Sequence, residues 1–352
     1  MKKNNKLTSI IQHQNILFIR IVIFILLFPF TTYVKSQDMH FTQFYSAPMY
    51  LNPAYTGANV CSRLSSTYRN QWPGVSKAYT SYLFSADHYL SKYHLGIGLL
   101  FGNDVAGTGE LKTTTINPMI AYEARLGKKW TTRLGLSPGI GIKSINYGKL
   151  LFGDQIARGG NVASVETPAI SKTYIDLSTG AMLYNSKYWV GVSFFHLNRP
   201  NESLFGAGSD VSNIPVKYTV HGGTKFIINN RYSNDNYEKK SITAAFNYRG
   251  EKKFKQLDIG FYYTQYIFNI GLWYRGIPFL KSDKTNTINN DAIAVIVGIQ
   301  ADRFNVGYSY DFTISRLNNV SNGAHEIALS YQLCKTSANK KKHRMPIPCP
   351  KF

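Results

Sequence analysis

From Ser62 onward the chain repeats one unit: about ten residues in which apolar side chains alternate with polar ones or glycine, then a turn. A period of two is the period of a strand, because successive side chains point to opposite faces. Leu95, Ile97, Leu99 and Phe101 alternate with Gly96, Gly98 and Gly102. Leu134, Leu136 and Ile140 alternate with Arg133, Gly135, Ser137 and Gly139. Phe304, Val306, Tyr308, Tyr310 and Phe312 alternate with Asn305, Gly307, Ser309 and Asp311. About 14 such strands can be counted, each about 9–13 residues long, close to the length that crosses a bilayer at a tilt. They begin near residues 62, 78, 93, 110, 129, 173, 188, 216, 240, 256, 266, 291, 303 and 324. A soluble sandwich alternates as well, with its apolar face inward, so a second signal is needed to separate the two.

The connections supply it. Odd-numbered ones are mostly long: Asn70–Lys77, Asn103–Gly109, Tyr147–Lys172, Asn198–Pro215, Gly250–Lys255, Gly276–Asn290 and Thr313–Gly323. Even-numbered ones are mostly short: around Ser91, around Gly127, at Asn185–Lys187, around Thr264 and at Ala301–Asp302, with Asn229–Lys239 the exception. Short turns at one rim and long loops at the other are the pattern of outer-membrane barrels. Tyr89, Tyr93, Trp130, Tyr184, Tyr188, Tyr263 and Tyr266 flank the short turns, where an interfacial aromatic girdle belongs. The fold read from the sequence is therefore all-β: a transmembrane antiparallel barrel over residues 62–333. If the first strand runs outward, both chain ends lie in the periplasm.

The first 36 residues read as a secretory signal, with Lys2, Lys3 and Lys6 ahead of the apolar run Ile21–Phe30. Removing them takes five cations and no acid from a net charge of +21, leaving +16. Such a charge raises the question of nucleic acid. The cations are spread over turns and ends, with no basic helix and no nucleic-acid motif, so the pattern points away from that partner. The last residues, 334–352, form a basic tail with Lys340, Lys341, Lys342 and Arg344. It reads as periplasmic, either solvated or in contact with an acidic partner or lipid headgroups.

Between signal and first strand, residues 37–61 do not read as a strand. Pro48 and Pro53 remove backbone donors, and Asn52 and Gly57 permit tight turns. Phe41, Phe44, Tyr45, Tyr50, Leu51 and Tyr55 make a solvated linker a poor reading. The segment either braces the base of the barrel or lies inside the lumen. The inward face carries Gly96, Gly98, Gly135, Gly139, Gly180, Gly191, Gly260, Gly271, Gly298 and Gly307, and strand glycines mark either bends or close approach by other chain. Inward charges read as few and mostly acidic: Asp87, Asp176, Asp258, Asp311 and Glu326, opposed by Arg133.

Three cysteines, in an oxidising compartment, permit one bridge. Cys334 with Cys349 is the favoured pair. Cys61 with Cys334 is the alternative, because a closed barrel pairs its first strand with its last. The histidines show no metal-ligand spacing, and there is no nucleophile elbow, paired-carboxylate motif or P-loop. The reading is of a non-enzymatic protein without cofactors.

Three runs carry a family resemblance: Gln43-Phe44-Tyr45, then Asn52-Pro53-Ala54-Tyr55-Thr56-Gly57, then Tyr68-Arg69-Asn70-Gln71-Trp72-Pro73. Together with the Cys-Pro-x-Phe end at Cys349–Phe352, they resemble the type IX secretion system membrane proteins of the PorP/SprF family. The resemblance implies an outer-membrane partner or anchor for a large secreted surface protein, such as an adhesin of gliding motility, working with other type IX components. Within it, Gln43, Tyr45, Asn52, Pro53, Tyr55, Gly57, Tyr68, Arg69, Gln71, Trp72 and Pro73 are the motif residues, structural or partner-binding. The competing function is a passive porin or a fatty-acid channel of similar strand number.

Overall fold

The computed structural model describes residues 38–333 and 347–349, apart from 60, 76, 78, 161, 163, 166–169, 205–211, 229–239, 253, 282–287, 302 and 315–321. The signal expected over residues 1–36 lies outside these.

Fourteen antiparallel strands close on themselves, each paired with its neighbours in sequence and β1 paired with β14. They are β1 (Ser62–Gln71), β2 (Tyr79–Leu90), β3 (Leu95–Ala106), β4 (Leu111–Leu126), β5 (Trp130–Ser144), β6 (Ser171–Tyr184) and β7 (Tyr188–Phe195). The second half comprises β8 (Lys217–Ile227), β9 (Lys240–Glu251), β10 (Phe254–Gln265), β11 (Phe268–Lys281), β12 (Ile288–Ala301), β13 (Phe304–Thr313) and β14 (Ala324–Leu333). The seam runs in continuous register from Ser62 opposite Leu333 to Gln71 opposite Ala324. Closure leaves no unpaired strand edge, the condition for crossing a lipid core.

The two faces of the wall are inverted relative to a soluble barrel. On β2, Tyr82 and Phe84 face outward and Phe84 is 50% exposed, while Ser81, Ser85 and Asp87 are buried inward. On β1, Leu64 is 46% exposed, whereas Arg63, Ser65, Thr67 and Arg69 are buried. Apolar side chains on the exterior and polar ones in the interior identify lipid, not water, as the outer solvent.

Three of the expected long connections are shorter than the sequence suggested. β3 and β4 pair up to Ala106 opposite Leu111, so the loop read over Asn103–Gly109 is a tight turn. β9 and β10 pair from Glu251 opposite Phe254, so the loop read over Gly250–Lys255 is a tight turn. β11 and β12 extend to Lys281 and back from Ile288, past register shifts at Arg275/Gly276 and Ile277/Lys281. Gly276 has φ 144°, so a backbone irregularity looked like a strand end. The long connection after β5 contains a short helix, α2 (Gly153–Ala157). There Asp154 accepts from the Val165 amide and the Ser164 hydroxyl and pairs with Arg158.

The girdle is real but smaller than expected. Tyr93, Trp130, Tyr188, Tyr263 and Tyr266 are exposed on the outside. Tyr184 is buried in the interior, and Tyr89 donates inward to Glu123.

Candidate functional site: a lumen threaded by the chain start

Residues Met39–Ala58 run through the barrel. The segment forms one helical turn, α1 (Pro48–Leu51), then a 3-10 turn (Pro53–Tyr55). Proline opens each, where its missing N–H has no helical acceptor to lose. Asn52 joins them. Its Oδ1 accepts from the Ala54 amide at 2.9 Å, capping the second turn. Its Nδ2 lies 3.2 Å from the Ala181 carbonyl, 3.1 Å from the Val192 carbonyl and 3.2 Å from His221 Nε2. One side chain therefore both shapes the segment and fastens it to β6, β7 and β8.

The glycine-lined wall makes room for this path. A Cβ at Gly135 would collide with the backbone of Pro53 and Ala54, one at Gly180 with the Asn52 side chain, and one at Gly96 with the Thr56 carbonyl. At Gly98 it would stand 2.7 Å from Met49 Cε. Gly57 itself adopts φ 63°, and its own Cβ would lie 2.8 Å from the His88 carbonyl. Close approach is thus the role of these wall glycines. Gly260 and Gly271 instead accommodate the rings of Trp273 and Tyr262.

Each end of the segment is held by ions. Near the long-loop rim, the backbone amides of Thr42 and Gln43 donate to the two oxygens of Glu326, at 2.7 and 2.8 Å. The Thr42 hydroxyl donates to Asp311 at 2.7 Å and accepts from Arg69 at 2.7 Å and Arg275 at 2.8 Å. Arg69 bridges Asp311 at 2.8 Å and Glu326 at 3.0 Å, and Arg275 reaches Asp311 at 3.0 Å. Asp258 extends the network to Arg249 at 2.8 Å. Near the short-turn rim, the Gly57 amide donates to Asp87, itself paired with Arg63 at 2.9 Å. Arg133 pairs with Glu123 and donates to the Ala54 carbonyl at 2.7 Å and to the Thr56 carbonyl. These carbonyls end the 3-10 turn, so a guanidinium replaces the missing helical donors.

Four of these ion pairs join residues directly opposite one another on adjacent strands: Arg63 with Asp87, Arg69 with Glu326, Arg133 with Glu123, and Arg275 with Asp258. The inward charges are therefore neither few nor mostly acidic. Arg63, Arg69, Arg249 and Arg275 escaped the sequence reading. Their parity with Ser65, Thr67, Asn247 and Gly271 could have placed them inside. Buried ions of this kind persist because every charge is paired and hydrogen-bonded.

Between the ionic ends lies an aromatic core. Phe44 packs edge-on to Trp273 with centroids 4.8 Å apart, and Tyr45 meets Trp189 at 5.9 Å. Trp189 Nε1 donates to the Tyr45 hydroxyl, which donates to the Gly222 carbonyl. Tyr55 stacks on His221. Ile347 is buried in the same cluster and Cys349 packs against it. Residues 347–349 are therefore packed in the interior, while the basic run with Lys340, Lys341, Lys342 and Arg344 lies outside the described residues.

The motif residues divide by location. Gln43, Tyr45, Asn52, Pro53, Tyr55 and Gly57 line the path just described. Gln43 adds donation from Nε2 to the Glu326 carbonyl at 3.1 Å. Arg69 meets them from the wall, with Gln71 accepting from it at 3.4 Å. Tyr68 faces outward against Tyr82 at 5.0 Å. Trp72 adopts φ 61°, donates its amide to Gly323 and packs on Tyr79, so it and Pro73 belong to the long-loop rim.

The cysteines depart from the favoured pairing. Cys61 is disulfide-bonded, and Cys349 carries a thiol, so the Cys334–Cys349 bridge does not form. Cys334 lies outside the described residues. The seam explains the difference: β1 and β14 are in register at Ser62 and Leu333, so their ends meet, whereas the buried cluster takes the tail elsewhere. Among the described residues, no cluster of His, Cys, Asp and Glu could hold a metal ion.

An apolar exterior, a closed 14-strand wall and a lumen threaded by the chain's own start define a plugged membrane-spanning β-barrel. The family of type IX secretion system membrane proteins PorP/SprF matches residues 33–331. The chain belongs to that family. No curated protein matches it. Among solved structures it is similar to the CymD monoaromatic hydrocarbon channel, with 10% identity, a TM-score of 0.44, and 83% of this chain and 94% of that one covered. It is also similar to the Pseudomonas putida toluene transporter TodX, with 10% identity, a TM-score of 0.43, and 84% and 94% covered. A Pseudomonas aeruginosa FadL homologue shares 9% identity at a TM-score of 0.40, with 80% and 92% covered.

Proposed function

We propose that this protein is a non-enzymatic outer-membrane component of type IX secretion, exported by a signal over residues 1–36. It serves as partner or anchor for a large, adhesin-like secreted protein. The observation that carries this reading is the plug. A segment fixed to strands all around the wall by hydrogen bonds to buried, paired ions is ill suited to free diffusion of solutes, which a porin requires. It suits a rigid receptor whose long connections present a surface. Those connections run on from β5 and β7, and the first contains the ordered α2 turn held by Asp154. Family membership supports work alongside other secretion components.

The test is affinity capture of the tagged protein from detergent-solubilised outer membrane, with bound proteins identified by mass spectrometry. Enrichment of a large secreted surface protein supports the anchor role. Enrichment of none, together with solute flux through the intact wild-type barrel in liposomes, would replace it with transport.

A further inference from the structure

The two rims differ in charge. Near the long-loop rim, cations and acids are mixed and paired: Lys149 with Glu110, Arg158 with Asp154, and Lys143 with Glu202. The short-turn rim is different. Its described connecting residues are Ser91–His94, Gly127–Lys129, Asn185–Lys187, Ile228, Tyr266–Ile267 and Arg303, and none of these is acidic. The sequence adds Asp302 beside Arg303, and Asp235 and Glu238 with Arg231 and Lys239 between β8 and β9, so cations still outnumber acids at this rim. Lys92, Lys128, Lys129, Lys187 and Arg303 are all exposed there. Among the described residues, no ion pair uses any of the five.

Four of these cations immediately precede an exposed outward ring. The pairs are Lys92 with Tyr93, Lys129 with Trp130, Lys187 with Tyr188, and Arg303 with Phe304. Tyr93 and Phe304 are each 60% exposed. Lys92 Nζ lies 5.4 Å from the Tyr93 ring centroid. Three pairs sit on neighbouring hairpins, β2–β3, β4–β5 and β6–β7, and the fourth lies further round at β12–β13. Exposed aromatic rings on a membrane barrel mark the headgroup level. A cation one residue beyond such a ring stands at the depth of lipid phosphates, with its alkyl stem along the apolar surface.

We infer that the short-turn rim is a binding collar for anionic phospholipid headgroups. Two features favour lipid over an acidic protein. Each of the four cations directly precedes a lipid-facing ring, and the pairs follow the outer wall over three consecutive hairpins and again at β12–β13 instead of converging on one pocket. The recognised chemistry is a phosphate diester with net negative charge, as in phosphatidylglycerol. Each Lys or Arg near an anionic membrane surface is worth roughly fivefold in partitioning. The inference needs only that the barrel spans a membrane, not the proposed secretion role.

The test uses the full-length mature protein in mixed micelles with equal phosphatidylglycerol and phosphatidylcholine, its retained lipids read by native mass spectrometry. The wild type should retain phosphatidylglycerol several-fold over phosphatidylcholine. A K92Q/K129Q/K187Q/R303Q variant should lose that preference. A control at the opposite rim, K77Q/K112Q/K149Q/K255Q, removes the same charge and should keep it. Heat-modifiable mobility on gels verifies that each barrel is folded. Equal retention of the two lipids by the wild type would overturn the inference. So would equal loss in both variants, which would make net charge the cause. Capture of an acidic protein through the four rim residues without any lipid preference would overturn it as well.

Discussion

Glu326→Ala is the perturbation that most directly tests how the plug is held. Its carboxylate is fully buried and receives three donors: the amides of Thr42 and Gln43 and Arg69 Nη1. Removing it leaves Arg69 with Asp311, the Thr42 hydroxyl and the longer bond to Gln71, and strips both amides of their acceptor. Breaking a buried ion pair from one side costs about 3–5 kcal/mol. The orphaned amides would add about 1 kcal/mol or more each if left dry, and little if the space vacated by the side chain takes in water. A loss of about 4 kcal/mol corresponds to roughly a thousandfold rise in the undocked population of Met39–Tyr45. The wall should survive, because the β1–β14 ladder is backbone to backbone and does not use this side chain.

Planar-bilayer recordings are the assay, with deletion of Asp38–Pro53 as the reference for an emptied lumen. The deletion should conduct steadily and still insert. Glu326→Ala should show intermittent openings, and Glu326→Gln, which keeps an acceptor and the shape, rarer ones. The reasoning is refuted if the deletion conducts while Glu326→Ala matches wild type in both conductance and protection of the segment from protease. In that case the aromatic core, not the ionic latch, fixes the plug. A deletion that fails to conduct would refute the plug as the barrier.

Other consequences can be checked separately. Gly96→Ala places a Cβ against the Thr56 carbonyl and should destabilise the docked segment by about 1–3 kcal/mol. Gly153→Ala, with open space around it, should leave the same denaturation midpoint unchanged. Non-reducing peptide mapping should link Cys61 to Cys334 and find Cys349 alkylated without reduction, whereas a Cys334–Cys349 peptide would contradict the structure. A cysteine at Leu151, in the long connection after β5, should be labelled on intact cells and one at Ser186 should not, and equal labelling would remove the assignment of rims to membrane faces. Asp154, outside the membrane span, is held down to about 2 by the Val165 amide and its other partners. Its folded pKa lies below the ordinary value of 3.8, so its hold on the β5–β6 connection is complete above that value and lost as pH falls toward 2. Cleavage near Ile156 by an acid-active protease should rise over that window, and Asp154→Asn should be cleaved at the raised rate already at the upper end of it, with no further rise on acidification.

The wall was written in the sequence because its signal is local. Alternation within ten residues tells which side chains share a face, and turn residues mark where a strand stops. The expected starts at 62, 188, 240 and 324 coincide with the observed ones. At Asn103–Gly109, Gly250–Lys255 and Gly276–Asn290 a turn or bulge imitates a longer break. The irregular segment was legible too: two prolines ruled out a strand, and its rings ruled out a solvated linker. The partners were not legible. Gln43 lies 283 residues from Glu326 and Asn52 lies 169 from His221, and nothing in either neighbourhood names the other. Wall glycines could mean bend or close approach until the path of the segment was known. Register alone decided that Arg69 stands opposite Glu326 and Arg133 opposite Glu123, turning scattered charges into a latch at either end. The cysteines make the same point. Spacing favoured the short loop from Cys334 to Cys349, and only closure of the seam and burial of Ile347 beside the plug took the tail away from it. Composition and period set the class of fold; contacts between residues distant in the chain set what fills it.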